Sequence, residues 1–175
     1  ELCDMLSKYS GIWFNTHFNH PREVTPEAAL ACERLVKAGV PVNNQSVLLK
    51  GINNSVEVYT KLCQELLKIR VRPYYLFQCD EVEGTEHLWT PVEDGVNIID
   101  GMRGHTSGLA IPTYVIDLAN GGGKVPLQPN YLLSQTEDDL LVFRNFQGHI
   151  FSYQNPGSSR KEFARKGMKN ERKGQ

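Results

Sequence analysis

Val40-Pro-Val-Asn-Asn-Gln-Ser-Val-Leu-Leu49, then a helical run opened by Asn54-Ser55, then Arg70-Val-Arg-Pro-Tyr-Tyr-Leu-Phe77, is the stretch that decides the fold. Two apolar, strand-like runs enclose a helix whose apolar positions, Val58, Leu62, Leu66, Leu67 and Ile69, recur at helical spacing. Strands separated by a helix of ten or more residues pair in parallel through a right-handed crossover. Toward the N-terminus the unit repeats. Gly11-Ile-Trp-Phe-Asn-Thr16 reads as a strand, and Thr25-Pro-Glu-Ala opens a helix with Thr25 as N-cap and Pro26 in the first helical position. Toward the C-terminus, Thr90-Pro-Val-Glu reads as another N-cap, with Val92, Val96, Ile98 and Ile99 as apolar helix positions before the strand Ile111–Ile116. The predicted fold class is α/β: part of a β/α barrel, with a doubly wound sheet as runner-up. In both, a site forms at the C-terminal ends of the strands.

The residues that follow each strand are therefore the candidates. They are His17, Asn19 and His20; Asn43, Asn44, Gln45 and Ser46; Gln78, Cys79 and Asp80; and Asp117. Polar groups gathered at one rim make one site. Each also has a plain structural reading. His20 precedes Pro21 and can shape a turn, the asparagines can satisfy loop backbone, Gln45 can cap a strand end, and the aspartates can cap helices or turns. Arg103-Gly-His-Thr-Ser-Gly108 offers N–H groups and hydroxyls to an anion, or is simply a polar turn.

Asp117-Leu-Ala-Asn-Gly-Gly-Gly-Lys124-Val-Pro126 stands apart. Three glycines contribute no packing and belong where the backbone bends sharply or approaches a ligand. A lysine held there is either a solvated turn residue or a desolvated amine suited to a Schiff base. After it, Asn130–Gln135, Leu140–Phe146 and His149–Tyr153 alternate as a small antiparallel β meander.

The 175 residues carry a net charge of −1, which gives no global reason to expect nucleic acid or membrane as a partner. The segment Arg160–Lys173 holds seven Lys/Arg against two Glu and reads as a solvated tail. Four cysteines, Cys3, Cys32, Cys63 and Cys79, lie too far apart for a zinc or iron–sulfur motif, and their scatter fits a reducing, cytoplasmic setting. No stretch is long and apolar enough to span a bilayer.

Five runs occur together and in order: Thr16-His-Phe-Asn-His-Pro21, Asn44-Gln-Ser-Val-Leu-Leu-Lys-Gly-Ile-Asn53, Arg72-Pro-Tyr-Tyr-Leu-Phe-Gln-Cys-Asp80, Arg103–Gly108 and Gly121-Gly-Gly-Lys-Val-Pro126. In this the chain resembles the lysine 2,3-aminomutase family of radical S-adenosylmethionine enzymes that also use pyridoxal phosphate. The resemblance runs over residues 1 to 155. It implies the C-terminal part of a partial radical S-adenosylmethionine barrel over residues 1–117, a cofactor-lysine loop and meander over 118–155, and a basic disordered tail over 156–175. It implies that Lys124 forms the Schiff base with pyridoxal phosphate, that Asp80 and Asp117 hold the distal ammonium of the substrate, and that His17 and Gln45 face S-adenosylmethionine.

The implied reaction moves the α-amino group of L-lysine to the β carbon. A [4Fe–4S] cluster is a further cofactor. Its Cys-x-x-x-Cys-x-x-Cys ligands are absent here and are expected upstream, so this segment is expected to supply no metal ligand and to be inactive alone. Where some family members hold zinc, this chain has Ser55 and a cysteine-free tail. The parent protein is expected to form a homo-oligomer. Two other readings remain: a truncated homologue that binds pyridoxal phosphate or an amino acid without radical chemistry, and an aminomutase for another amino acid. In the glutamate-using branch a lysine and an asparagine replace the two aspartates, and this chain keeps aspartate at both places.

Overall fold

A computed structural model describes residues 1–156; the basic-tail expectation falls almost wholly outside them. Two compact units divide between Pro129 and Asn130.

The first unit runs α1 (Leu2–Leu6), β1 (Phe14–Thr16), α2 (Pro26–Lys37), β2 (Val42–Val47), α3 (Val56–Lys68), β3 (Val71–Phe77), α4 (Val92–Met102), β4 (Thr113–Leu118) and β5 (Gly123–Leu127). The strands form one sheet in the order β1-β2-β3-β4-β5. Strands β1 to β4 are parallel neighbours, and β5 returns antiparallel to β4. The parallel α/β reading therefore stands. Among the described residues the strand order never reverses, so they form no crevice of a doubly wound sheet. The general right-handed rule for parallel crossovers sets α2, α3 and α4 on one face of this order, and α3 packs against both α4 and β3.

Local chemistry starts each helix. The Thr25 hydroxyl accepts from Ala28 N–H at 3.3 Å with Pro26 behind it, and Ser55 does the same for Val58 N–H at 3.3 Å. Helix α4 departs from the expected Thr90 cap. Pro91, not Thr90, stands at the N-cap of α4, with no side-chain cap bond. Between helices and sheet lies the core: Leu48, Leu62, Leu66, Leu76, Ile98, Ile99 and Met102 are all but completely buried. Gly95 lets α4 approach β4, because a Cβ there would sit 2.2 Å from the Tyr114 ring. Tyr59, Tyr114 and Cys63 are buried among these groups. Burial pushes the Cys63 thiol and the Tyr114 phenol up to about 12, and Tyr59 is raised as well.

Two expectations about the glycine-lysine run change. Strand β4 extends through Asp117 and Leu118, so Asp117 lies in the strand and not beyond its end. Lys124 lies in β5 and not in a loop. The glycines serve the bend between these strands: Asn120, Gly121 and Gly123 have φ of 56°, 83° and 74°. Pro126 is tolerated because β5 is the last strand of its sheet.

The second unit is the expected meander, β6 (Leu132–Gln135), β7 (Leu140–Arg144) and β8 (Ile150–Gln154), paired antiparallel. Asp139 and Gly148, at φ 61° and 83°, make its turns.

Candidate functional site

Strand alternation sorts the candidates by face. On β2, Asn44 and Ser46 are buried, and Ser46 meets Tyr59 of α3. Leu76 and Tyr114, paired in register with each other, share that helix-packed side. The alternate residues point the other way. Asn43 Nδ2 donates to Asn15 Oδ1 at 3.2 Å, and Gln45 pairs with Tyr75. Phe77 lies two residues beyond Tyr75, and Asp117 two beyond Val115, the register partner of Phe77. Asp117 pairs with Lys124.

That last pairing makes the closest contact between proposed site residues. Lys124 Nζ donates to Asp117 Oδ2 at 3.1 Å and stands 5.3 Å from the centre of the Phe77 ring. The lysine side chain is 49% exposed and the aspartate 37%, so the amine is held in place yet reachable. Tyr75 belongs to the same surface. A hydrogen bond with Tyr74 raises its phenol above the usual range, and the Asp117 charge adds to this; the two tyrosine rings are 4.0 Å apart.

At the C-terminal ends of β3 and β4 a cleft of about 840 Å³ opens, lined by residues from Gln78–Glu81, Trp89–Val92 and Ile116–Ala119. Asp80, Glu81 and Asp117 all line it, and the Asp117 carboxylate itself turns toward Lys124. The Asp80 carboxylate has no partner among the described residues. Trp89, Val92, Ile116 and Leu118 give the cleft apolar walls, so it suits a ligand with a hydrocarbon chain and a cationic end. Cys79 also lines it, but burial and the neighbouring Asp80 charge push its thiol up, which keeps it a poor nucleophile.

The cleft does not include His17 or Gln45. His17 follows the end of β1, and Gln45 lies in β2 paired with Tyr75. Neither side chain is hydrogen-bonded among the described residues. Their neighbours are structural. Asn44, 1% exposed, accepts from Phe18 N–H at 2.7 Å and donates to Phe18 O and Ser46 Oγ. Asn19 Oδ1 accepts from Val47 N–H, and Asn53 ties Asn19 O to Val47 O and Leu49 N–H. His20 Nδ1 accepts from Arg22 N–H in a short capping turn, so the turn reading holds for it. Arg103–Gly108 precedes β4, at the edge opposite the cleft. Its Thr106 hydroxyl accepts from Gln64, and Ser107 caps the short turn Gly108–Ala110.

Sequence reasoning passed over Tyr75, Phe77 and Glu81. Alternation within Arg70–Phe77 was the signal for the first two: it sets Tyr75 and Phe77 on one side, in line with Gln45 and Asp117. Among the described residues, no group of three or more His, Cys, Asp or Glu is placed to hold a metal ion. No described helix is long and apolar enough to cross a membrane.

Fold and site together define a parallel α/β protein with a carboxylate-lined cleft and a paired lysine at the rim of its sheet. Comparison with known proteins narrows this. The sequence model of the family described as Lysine-2,3-aminomutase matches residues 99–173, and the chain belongs to that family. It is 58% identical over 156 residues to the L-lysine 2,3-aminomutase of Fusobacterium nucleatum, which covers 89% of this chain and 36% of that protein. Against the L-lysine 2,3-aminomutase of Clostridium subterminale the identity is 54%, covering 89% and 37%. The Clostridioides difficile glutamate 2,3-aminomutase is 53% identical over 150 residues, covering 86% and 35%. The chain thus spans little more than a third of the length of these curated relatives. Among solved structures, a radical SAM methyltransferase from Sphaerobacter thermophilus aligns with a TM-score of 0.51 at 18% identity, covering 66% of this chain and 37% of that one, a similarity of fold.

Proposed function

We propose that these residues form the cofactor-lysine and substrate-ammonium part of a lysine 2,3-aminomutase, set in the later part of a partial β/α barrel. The whole enzyme moves the α-amino group of L-lysine to the β carbon. The observation that carries the reading is the Lys124–Asp117 pair, formed beside a cleft that also holds Asp80.

The residues fit pyridoxal phosphate. Lys124 presents a reachable primary amine beside an aromatic ring, as a Schiff-base lysine must. When bound, this cofactor supplies an electrophilic carbonyl and a conjugated ring that can delocalise an unpaired electron. Toward it, Lys124 offers the nucleophilic nitrogen, and Asp117 fixes where that nitrogen stands. His17 and Gln45, whose side chains make no hydrogen bond among the described residues, are the residues assigned to S-adenosylmethionine. Cluster ligands are assigned to the part of the enzyme outside this sequence, which is why the segment alone is expected to be inactive.

Asp80 and Asp117 are assigned to the distal ammonium of the substrate. Two carboxylates sharing a cleft repel, and a cation between them removes that penalty. The same charge argues against glutamate, whose side-chain carboxylate would meet Asp80, Glu81 and Asp117, although a glutamate 2,3-aminomutase is among the relatives. The test is turnover by the complete protein, supplied with S-adenosylmethionine, pyridoxal phosphate and a one-electron reductant. β-Lysine from L-lysine is expected; turnover of L-glutamate in its place would overturn the substrate assignment.

A further inference from the structure

We propose that Lys124 is an internal competitor for the ammonium place on Asp117, so that the protein binds L-lysine less tightly while the Lys124 amine is free than when that amine is engaged or removed. The inference rests on the ammonium reading above and adds the contact that regulates it.

The sheet builds this competitor in. Asp117 and Lys124 are register partners on β4 and β5, and directly opposed residues of an antiparallel pair carry their side chains on the same face. The flanking pairs Ile116–Val125 and Leu118–Gly123 hold that register, and the bend at Asn120, Gly121 and Gly123 returns the chain on itself. Lys124 Nζ thereby meets Asp117 Oδ2 at 3.1 Å. The Phe77 ring, with its centre 5.3 Å from Nζ, favours a cation at the same point. Asp80, the other carboxylate assigned to the ammonium, forms no ion pair among the described residues. The two side chains of the Lys124–Asp117 pair are 49% and 37% exposed, so a dissolved ligand can reach the pair and displace it.

The competition follows from chemistry. Lys124 and the side chain of L-lysine end in the same group, a primary ammonium with three donors and one positive charge. A ligand ammonium arriving at Asp117 either displaces Nζ or settles beside it, where two like charges share one carboxylate and repel. Either way the free amine lowers the affinity. An exposed ion pair is weak, so this competitor tunes binding and does not block it. Condensation with pyridoxal phosphate removes it: the deprotonated Lys124 nitrogen bonds to the carbonyl carbon, the carbonyl oxygen leaves as water, and at most one N–H remains on that nitrogen. Substrate affinity is then highest with the cofactor in place, and by linkage the substrate favours cofactor binding by the same factor.

The experiment titrates L-lysine and L-norleucine, which lacks the terminal amine, by calorimetry into the complete protein freed of pyridoxal phosphate. The proteins compared are the natural sequence, Lys124→Met, Lys124→Gln, Asp117→Asn and the double variant Lys124→Met with Asp117→Asn. Both Lys124 variants are expected to lower the lysine Kd about two- to fivefold, the scale of an exposed ion pair, and to leave norleucine unchanged. In the Asp117→Asn background, Lys124→Met should bring no gain. If Asp117→Asn weakens lysine binding while neither Lys124 variant strengthens it, the ammonium reading survives and the competition falls. If Asp117→Asn and both Lys124 variants bind lysine normally, the ammonium reading falls and takes the competition with it. An equal gain with and without Asp117, or an equal gain for norleucine, would assign the effect to the charge or bulk of Lys124 at large and overturn the proposal. Weaker lysine binding in both Lys124 variants would make Lys124 part of the ammonium site and overturn it as well.

Discussion

Lys124 and Asp117 face each other across the β4–β5 pair, with Nζ 3.1 Å from Oδ2. In this state the lysine amine sits on a carboxylate that the proposed function assigns to the substrate ammonium. Lys124 in its resting position and an arriving ammonium therefore share Asp117. Asp117→Asn is expected to weaken L-lysine binding by the complete protein by roughly 2–5 kcal/mol, the scale for breaking a desolvated charge pair. Calorimetric titration checks this, and an unchanged Kd would remove Asp117 from the substrate site.

The asparagine network beneath the rim has a separate consequence. Asn44 is buried and satisfies both the N–H and the carbonyl of Phe18, just beyond β1. Asn44→Leu leaves that N–H without its acceptor, so a loss of about 1–3 kcal/mol is expected in a urea melt. Asn43→Ala should cost less, because among the described residues the Asn43 side chain bonds only to the Asn15 side chain. Equal losses would argue against the network.

Close packing of α4 on β4 gives a third expectation. A Cβ on Gly95 meets the Tyr114 ring at 2.2 Å, which the ring can relieve only by moving. Gly95→Ala is expected to destabilise by about 1–3 kcal/mol, the overpacking range. Since Tyr114 holds Gln78, and Gln78 holds the Thr90 carbonyl, the same change should also disturb the cleft. A stable Gly95→Ala protein with normal ligand binding would contradict this packing.

Stability should also fall in alkali. Burial favours the protonated forms of Cys63 and Tyr114, raising them from 9.0 and 10.0 to about 12. The unfolded chain releases these protons first, so the folded state holds more protons and loses stability as pH rises. This contribution is complete below pH 9, declines from pH 9 for Cys63 and from pH 10 for Tyr114, and is gone above about pH 12. Each group adds a slope of about 1.4 kcal/mol per pH unit within its window. Urea melts between pH 8 and 11 test this; Cys63→Ala should flatten the early part of the decline, and an unchanged profile would refute it.

Much of the fold was legible because local chemistry and tertiary packing agreed. Thr25-Pro26 and Ser55 start helices as their residue types require, and the apolar face of α3 lies where its spacing puts it. Thr90-Pro91 has the same local signature as Thr25-Pro26 and ended differently. There Gln78 takes the Thr90 carbonyl, a contact twelve residues away in sequence that no local pattern records. The glycine run marked a bend correctly. What it hid was that Lys124 lies beyond the bend, where pairing with β4 and not glycine flexibility fixes the side chain. Among the polar rim residues, sequence alone could not separate supports from candidates. Burial and hydrogen bonding do so, since Asn19, Asn44 and Asn53 spend their amides on backbone while no side-chain hydrogen bond engages the His17 imidazole or the Gln45 amide among the described residues.

The central claim concerns the nitrogen of Lys124. Incubation of the complete protein with pyridoxal phosphate, reduction with borohydride and peptide mapping reads it directly. A single pyridoxyl group on Lys124 is the expected result; label spread over surface lysines with Lys124 unmodified would contradict it.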